Sequence, residues 1–368
     1  MRLEKLRLVN FKNYEKASLE FPAKVNCLLG LNGSGKTNLL DAIHYLSFTK
    51  SFLNASDTHN IRHGCDSFLL WSGFDFEGAK HELSCQIQPG HKKIFREDGQ
   101  DYEKMSDHIG KYPVVLISPS DIDLIREGSE ARRKFFDSMI AQIDQTYLQA
   151  LVEYHHCLKQ RNGILRMFQE RQYSDADLID TYDHQLVQTG LEIFQKRKAF
   201  IAEFLPVLNA SYNILVDQKE EATLLYRSDF FETDFLTALK HSFSKDLALQ
   251  RTTVGIHRDD YDFGFAHGEL KRLGSQGQQK SFLVALKLAN VEIIKKHKGF
   301  SPILLLDDIF DKLDDIRIAR LLKIVAGKNY GQLFITDAGP ERTEALLKDI
   351  GVRSDIFEVK EGSIKKKP

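Results

Sequence analysis

The chain is poor in the residues on which small cross-linked or membrane-bound folds depend. Its four cysteines (Cys27, Cys65, Cys85 and Cys157) are far apart, with no C-x-x-C pair among 368 residues. That spacing argues against a disulfide framework or a cysteine-based metal knuckle and favours reduced thiols, Cys27 within a core strand. No apolar run approaches the roughly 20 residues that span a bilayer. Met1-Arg2-Leu3-Glu4-Lys5-Leu6 lacks the apolar segment of a secretory leader, so a cytoplasmic protein is expected. Net charge is missing too: 51 Lys+Arg against 52 Asp+Glu leave −1. Any contact with nucleic acid must therefore come from a local patch rather than a global field. Repeats and long heptad arms are absent. What remains, 42% hydrophobic and 28% charged residues, is ordinary globular material. The length implies two lobes or one domain with an insertion.

One run breaks this plainness. Gly30-Leu31-Asn32-Gly33-Ser34-Gly35-Lys36-Thr37 fits G-x-x-x-x-G-K-[ST], the phosphate-binding loop (P-loop) of nucleoside triphosphatases. Glycines let the backbone curl so that successive N–H groups point at the α- and β-phosphates. Lys36 would reach the β- and γ-phosphates, and the Thr37 hydroxyl would ligate Mg²⁺. Val25 to Leu29 before the loop reads as a short buried strand. Asn38 to Leu46 after it places Leu39, Leu40, Ile43 and Leu46 on one helical face. Strand, loop and helix N-terminus together favour a bound phosphate. The chain is expected to bind ATP.

A second element completes that chemistry. Ile303-Leu304-Leu305-Leu306-Asp307-Asp308 is an apolar strand ending in two acids. Asp307 is the expected Mg²⁺ residue, and Asp308 the candidate that orients or deprotonates the attacking water. Roughly 270 residues separate Lys36 from Asp307, far more than one compact α/β unit needs. The nucleotide domain is therefore expected to be split. Between its halves, Gly274-Ser275-Gln276-Gly277-Gln278-Gln279-Lys280 opens a helical run from Ser281 to Lys295 and forms a further anion-binding surface; the plain alternative is that Ser275 caps that helix.

Texture along the chain agrees. Leu3 to Phe11, Ala17 to Phe21, Phe68 to Phe76, Leu83 to Ile87 and Val114 to Ile117 read as strands, with a turn at Asp98-Gly99. From about residue 121 to 249, long stretches such as Arg132 to Phe168 and Leu178 to Ala210 carry helical periodicity, broken near Asn162-Gly163 and from Ser174 to Asp177. Strands return after about residue 250, including Gln332 to Ile335. The expected organisation is an ATPase lobe from 1–120 and 250–368 with a helical lobe from 121–249. The Lys365-Lys366-Lys367 tail reads as a solvated end.

Taken together, these motifs resemble the RecF family of bacterial recombination and gap-repair ATPases. Ser275-Gln276-Gly277-Gln278-Gln279 looks like the signature of ABC-type ATPases, and Asp311-Lys312-Leu313-Asp314 like their D-loop. Leu8-Val9-Asn10-Phe11-Lys12-Asn13-Tyr14, Gly255-Ile256-His257-Arg258-Asp259-Asp260 and Arg132-Arg133-Lys134-Phe135-Phe136-Asp137 are similar to further segments of that family. Ile256 stands where the family usually has proline, and Leu53 where an arginine is expected, so that arginine's role does not carry over. The resemblance implies an α/β fold: an ABC-type P-loop ATPase head, a split mixed sheet with flanking helices, and an inserted, mainly helical lobe. It implies a homodimer around two ATP molecules, in which Ser275 and Gly277 of one copy meet the γ-phosphate held by Lys36 of the other, with Gln278 beside them. It also implies DNA binding at single-strand gaps and duplex junctions, with RecR-type and RecO-type mediators leading to RecA loading. Thr336, where many such ATPases carry a switch histidine, and the short reach of Asp308 favour slow turnover.

Composition shows none of the DNA binding. Basic clusters lie at Lys92-Lys93 with Arg96, Arg132-Arg133-Lys134, Lys196-Arg197-Lys198 and Lys295-Lys296. Each by itself reads more readily as a solvated face than as a phosphate contact. Rival readings fit less well. Transporter subunits usually carry Ser-Gly-Gly-Gln, SMC-like proteins need long arms, and small-molecule kinases or GTPases have no use for a signature helix.

Overall fold

In a computed structural model of the chain, residues 1–173, 175–216, 220–308, 315–327 and 330–367 are described. The segment Asp311 to Asp314, read above as a D-loop, lies outside the described residues.

The chain opens with β1 (Arg2–Phe11), β2 (Tyr14–Glu20), β3 (Val25–Leu29) and α1 (Lys36–Phe48). It continues through β4 (Phe68–Phe76), β5 (Ala79–Ile87), β6 (Ile94–Glu97), β7 (Gln100–Asp101) and β8 (Val114–Ile117). Next come the helices α2 (Asp123–Arg126), α3 (Ser129–Ile143), α4 (Gln145–Arg171) and α5 (Ala176–Leu215). They are followed by β9 (Ala222–Arg227), α6 (Phe235–Leu249), β10 (Asp260–Phe265), β11 (Gly268–Glu269) and α7 (Leu270–Leu273). The chain closes with α8 (Gln276–Lys298), β12 (Ile303–Leu306), α9 (Asp315–Val325), β13 (Leu333–Asp337), α10 (Pro340–Asp349), β14 (Ser354–Lys360) and β15 (Ser363–Lys366).

Two compact units result. One comprises Met1–Ile122, Ala210–Lys219 and Gln276–Pro368; the other comprises Asp123–Asn209 and Glu220–Ser275. The first holds a six-stranded sheet in the order β15-β14-β3-β13-β12-β8, parallel apart from the final β14–β15 pair. Its strands come from both ends of the chain. Every residue of β3, β12 and β13 is buried, which is why they read as unbroken apolar runs rather than alternating ones. The same unit holds an antiparallel sheet, β2-β1-β4-β5-β6-β7, whose strands bury alternate residues. Gln332 ties the two sheets together. Its side chain accepts from the Leu3 N–H at 2.8 Å and donates to the Leu3 carbonyl at 2.9 Å, where β1 slips register against β4 between Leu3 and Lys5.

The second unit carries more than the mainly helical texture shows. It contains a three-stranded sheet, β11-β10-β9, and it extends to Ser275, so the return to the ATPase lobe comes at Gln276 rather than near 250. The pairing of β10 with β9 holds residues 260–265 in this unit. The expected break at Asn162-Gly163 is also absent. α4 runs through it because the Asn162 side chain is used for tertiary contact, its Oδ1 accepting from the Thr252 N–H and hydroxyl at 2.7 and 2.8 Å. The break falls instead at Asp144, which caps α4 by accepting from the Tyr147 N–H at 2.9 Å. The C-terminal lysines are not simply solvated: Lys366 pairs with Asp355 at 2.9 Å and Lys367 with Glu344 at 2.8 Å.

Candidate ATP-binding and hydrolysis site

β3 delivers the chain to the P-loop at the carboxyl end of the parallel sheet, the usual crevice for ligands in such folds. Gly33 and Gly35 take φ of 80° and 111°, values that side-chain-bearing residues rarely adopt. A Cβ on Gly30 would collide with the Val359 carbonyl, and one on Gly35 with the Asn13 amide. α1 starts at Lys36, with Leu39 N–H donating to the Gly35 carbonyl at 3.1 Å. The Lys36 ammonium is buried within the loop, donating to the carbonyls of Gly30 at 2.8 Å and Leu31 at 3.0 Å. Gly30 to Ser34 also line a pocket of 580 Å³, closed by Ala338, Pro340 and residues 358–361.

β12 lies two strands from β3 and brings Asp307 to the same edge. Asp307 Oδ1 accepts from the Thr37 hydroxyl at 2.9 Å and from the Thr336 hydroxyl at 2.8 Å. Burial pushes the Asp307 carboxyl above the ordinary range, against the pull of those two hydroxyls. A buried carboxylate beside a threonine hydroxyl is an oxygen donor pair suited to a hard divalent cation, so Thr37 and Asp307 fit Mg²⁺. Asp308 follows with φ 44° and donates its N–H to Thr336 Oγ1 at 2.9 Å. Thr336 therefore braces both acids. Sequence reading noted it only as a missing histidine; the available signal was a hydroxyl near the end of an otherwise apolar strand.

Gly30 to Thr37, Asp307 and Asp308 are thus gathered at one sheet edge. Gly277 and Gln278 lie in the first turn of α8, and Ser275 directly precedes that helix. The Ser281 hydroxyl donates to the Gly277 carbonyl at 2.9 Å.

Several cations of the basic clusters are paired with acids. Arg132 binds Asp260 through two hydrogen bonds, of 2.7 and 2.9 Å, and Arg133 donates to the Asp259 carbonyl at 2.7 Å. Arg197 is buried between Asp137 at 2.8 Å and Asp259 at 2.7 Å. Lys196 pairs with Asp144 at 2.6 Å, Lys93 with Asp57 at 2.7 Å, and Arg96 with Asp101 at 2.5 Å. Segments 132–137 and 255–260, both quoted above for the family resemblance, are therefore partners in one core. The turn at Ile256 forms without proline, Arg258 N–H donating to the Gly255 carbonyl at 2.8 Å.

A P-loop strand and a buried strand-end acid from opposite ends of the chain, joined in one sheet beside an antiparallel sheet, define an SMC-like, ABC-type ATPase head. The profile of the RecF/RecN/SMC N-terminal domain matches residues 2–68, and an SMC head bound to the C-terminal domain of ScpA, from Pyrococcus furiosus, shares the fold at a TM-score of 0.57 with 16% identity, over 99% of this chain and 95% of that one. The chain belongs to the RecF family. The DNA replication and repair protein RecF of Flavobacterium johnsoniae is 46% identical over 97% of this chain and 99% of its own length. That of Cytophaga hutchinsonii is 43% identical over 100% and 97%. A solved structure of the recombination mediator protein RecF with ATP in the RecFOR pathway superposes at a TM-score of 0.89 with 27% identity, covering 100% of this chain and 97% of that one.

Proposed function

We propose that this RecF-pathway DNA repair ATPase works as an ATP-dependent clamp, two copies closing on ATP and separating after slow hydrolysis. The observation that carries the reading is the Thr37–Asp307 contact at 2.9 Å, which brings the P-loop and the strand-end acid from the other half of the chain together at one candidate site. The N–H groups of the P-loop would cradle the phosphates, with Lys36 moving from its loop carbonyls onto the β- and γ-phosphates. Thr37 and Asp307 would hold Mg²⁺, which supplies charge neutralisation on the transferred phosphoryl group. Asp308 would orient the attacking water, and Ser275, Gly277 and Gln278 of a second copy would close on the γ-phosphate. Each ATP then binds the dimer, which supplies both halves of its site, more tightly than the monomer, so binding shifts the monomer–dimer equilibrium by mass action. Asp308 is shorter than a glutamate, and Thr336 cannot carry a proton as imidazole does. Turnover is therefore expected below about 10 per second, the general enzyme median.

DNA at single-strand gaps and duplex junctions is the proposed cargo, held by basic groups pooled across the dimer, with RecR-type and RecO-type mediators as partners ahead of RecA loading. DNA affinity should then need ATP and fall steeply with salt. Sedimentation of the wild type and of Ser275→Arg, with and without ATP and gapped DNA, tests this. The wild type should dimerise on ATP, while the variant should bind ATP and stay monomeric. A variant that dimerised normally, or DNA binding indifferent to nucleotide and salt, would overturn the clamp.

A further inference from the structure

The peptide joining Ser34 to Gly35 precedes α1, so the helical ladder does not set its orientation. A trans peptide is planar and carries its C=O and N–H on opposite sides. Whatever holds the Ser34 carbonyl therefore aims the Gly35 N–H. That carbonyl accepts from the Asn13 side-chain amide at 3.1 Å and from the Gly362 N–H at 3.3 Å. The next carbonyl, of Gly35, takes the first bond of the α1 ladder from the Leu39 N–H at 3.1 Å and accepts as well from the Tyr14 hydroxyl at 2.9 Å. Asn13 and Tyr14 sit at the turn between β1 and β2, in a different sheet from the P-loop strand.

We propose that this hairpin turn is a positioning device for the P-loop: Asn13 holds the Ser34 carbonyl, and Tyr14 adds to the helical bond on the Gly35 carbonyl, so that the N–H groups of Gly35 and Lys36 converge on the bound phosphates. The inference rests on the ATP-site reading above and adds residues that touch the loop rather than the nucleotide. The turn is built for the task. Lys12, at φ 52°, anchors it to α1 through a buried ion pair with Asp41 at 2.5 Å. Asp41 in turn accepts from the Ser51 hydroxyl at 2.7 Å and the Phe52 N–H at 2.8 Å. Asn38 donates to Asn13 Oδ1 at 2.8 Å, which leaves the Asn13 amide nitrogen facing Ser34. Glycine at 35 makes room for that amide, and glycine at 362 makes room for the Asn13 carbonyl.

The test uses full-length wild type, Asn13→Ala and the near-isosteric Tyr14→Phe, with binding of fluorescent ATP and ADP measured alongside nucleotide-free melting. Asn13→Ala should weaken both nucleotides about tenfold and Tyr14→Phe about threefold, the range for a lost hydrogen bond. Both should melt within about 2 °C of the wild type, because a loop orientation rather than the core has changed. Affinities within twofold of the wild type, or losses that appear only with a matching fall in melting temperature, would overturn the positioning role. Failure of the wild type itself to bind ATP would instead bring down the site reading on which this rests.

Discussion

Asp307 shows how much of the site depends on single groups. Its carboxylate is buried and held by two threonine hydroxyls, an arrangement that invites a cation and penalises a lone charge. Thr336→Val keeps the volume but removes the donor to Asp307 and the acceptor for the Asp308 N–H. Hydrolysis by this variant should fall at least about tenfold while ATP binding stays near wild type, as expected when a positioning hydrogen bond is lost. Single-turnover kinetics beside equilibrium binding would show it, and unchanged hydrolysis would remove Thr336 from the site. Gly35→Ala should instead abolish ATP binding, since φ 111° and the Asn13 amide both exclude a methyl group. The P-loop was legible because its chemistry needs a contiguous pattern. Thr336 and Asn13 were not, because their roles depend on which strands become neighbours.

Elements were read well where periodicity alone decided them. Val25–Leu29, Phe68–Phe76 and Val114–Ile117 form as expected, since burial on one or both faces writes itself into the residue pattern. The errors fall where a polar side chain serves a distant partner: Asn162 looked like a helix break and Gln332 like a strand residue. Replacing Gln332 by Leu leaves the Leu3 N–H and carbonyl buried without their partner, at a cost of about 2–4 kcal/mol. The fall in stability should be read as a lower midpoint in urea. His108 gives a pH signature to the packing of α1. Its Nε2 lies 2.7 Å from the Leu46 carbonyl, and burial lowers its pKa to about 4. A buried imidazole that stays neutral contributes stability above the unfolded value of 6.5, and that contribution is lost as pH falls from there toward about 4. The melting temperature should drop across this window, and less steeply in His108→Gln. His257, also lowered to about 4 by burial, keeps the slope from vanishing.

At the scale of the whole molecule, the basic clusters read as solvated faces, yet several of their cations are held by acids from other segments, and one is an internal strut. Arg197 is fully buried between two aspartates, and Arg161 likewise pairs with Asp183 and Asp246 at 2.6 and 2.7 Å. Arg197→Ala should cost about 3–5 kcal/mol by stranding Asp137 and Asp259, a loss visible by calorimetry before any DNA is added. Sequence could not separate strut from surface, because a lysine or arginine run looks the same whether acids from other segments reach it or not. The split organisation was legible from the distance between Lys36 and Asp307. Its boundary was not, since β10 joins the inserted unit through pairing with β9 and contacts with Arg132 and Phe136 of α3, none of which a linear pattern shows.

If each ATP site needs two copies of the chain, as proposed, mixing two defective variants decides it. Lys36→Ala destroys a copy's own P-loop but leaves its signature, whereas Ser275→Arg does the reverse. Each variant alone should show no ATP hydrolysis. Mixed, they form heterodimers in which the P-loop of the Ser275→Arg copy faces the intact signature of the Lys36→Ala copy, restoring one site in two. Hydrolysis should return on mixing and rise with total protein concentration. A mixture as inactive as its components, or a Ser275→Arg protein that hydrolyses ATP unaided, would contradict the two-copy site.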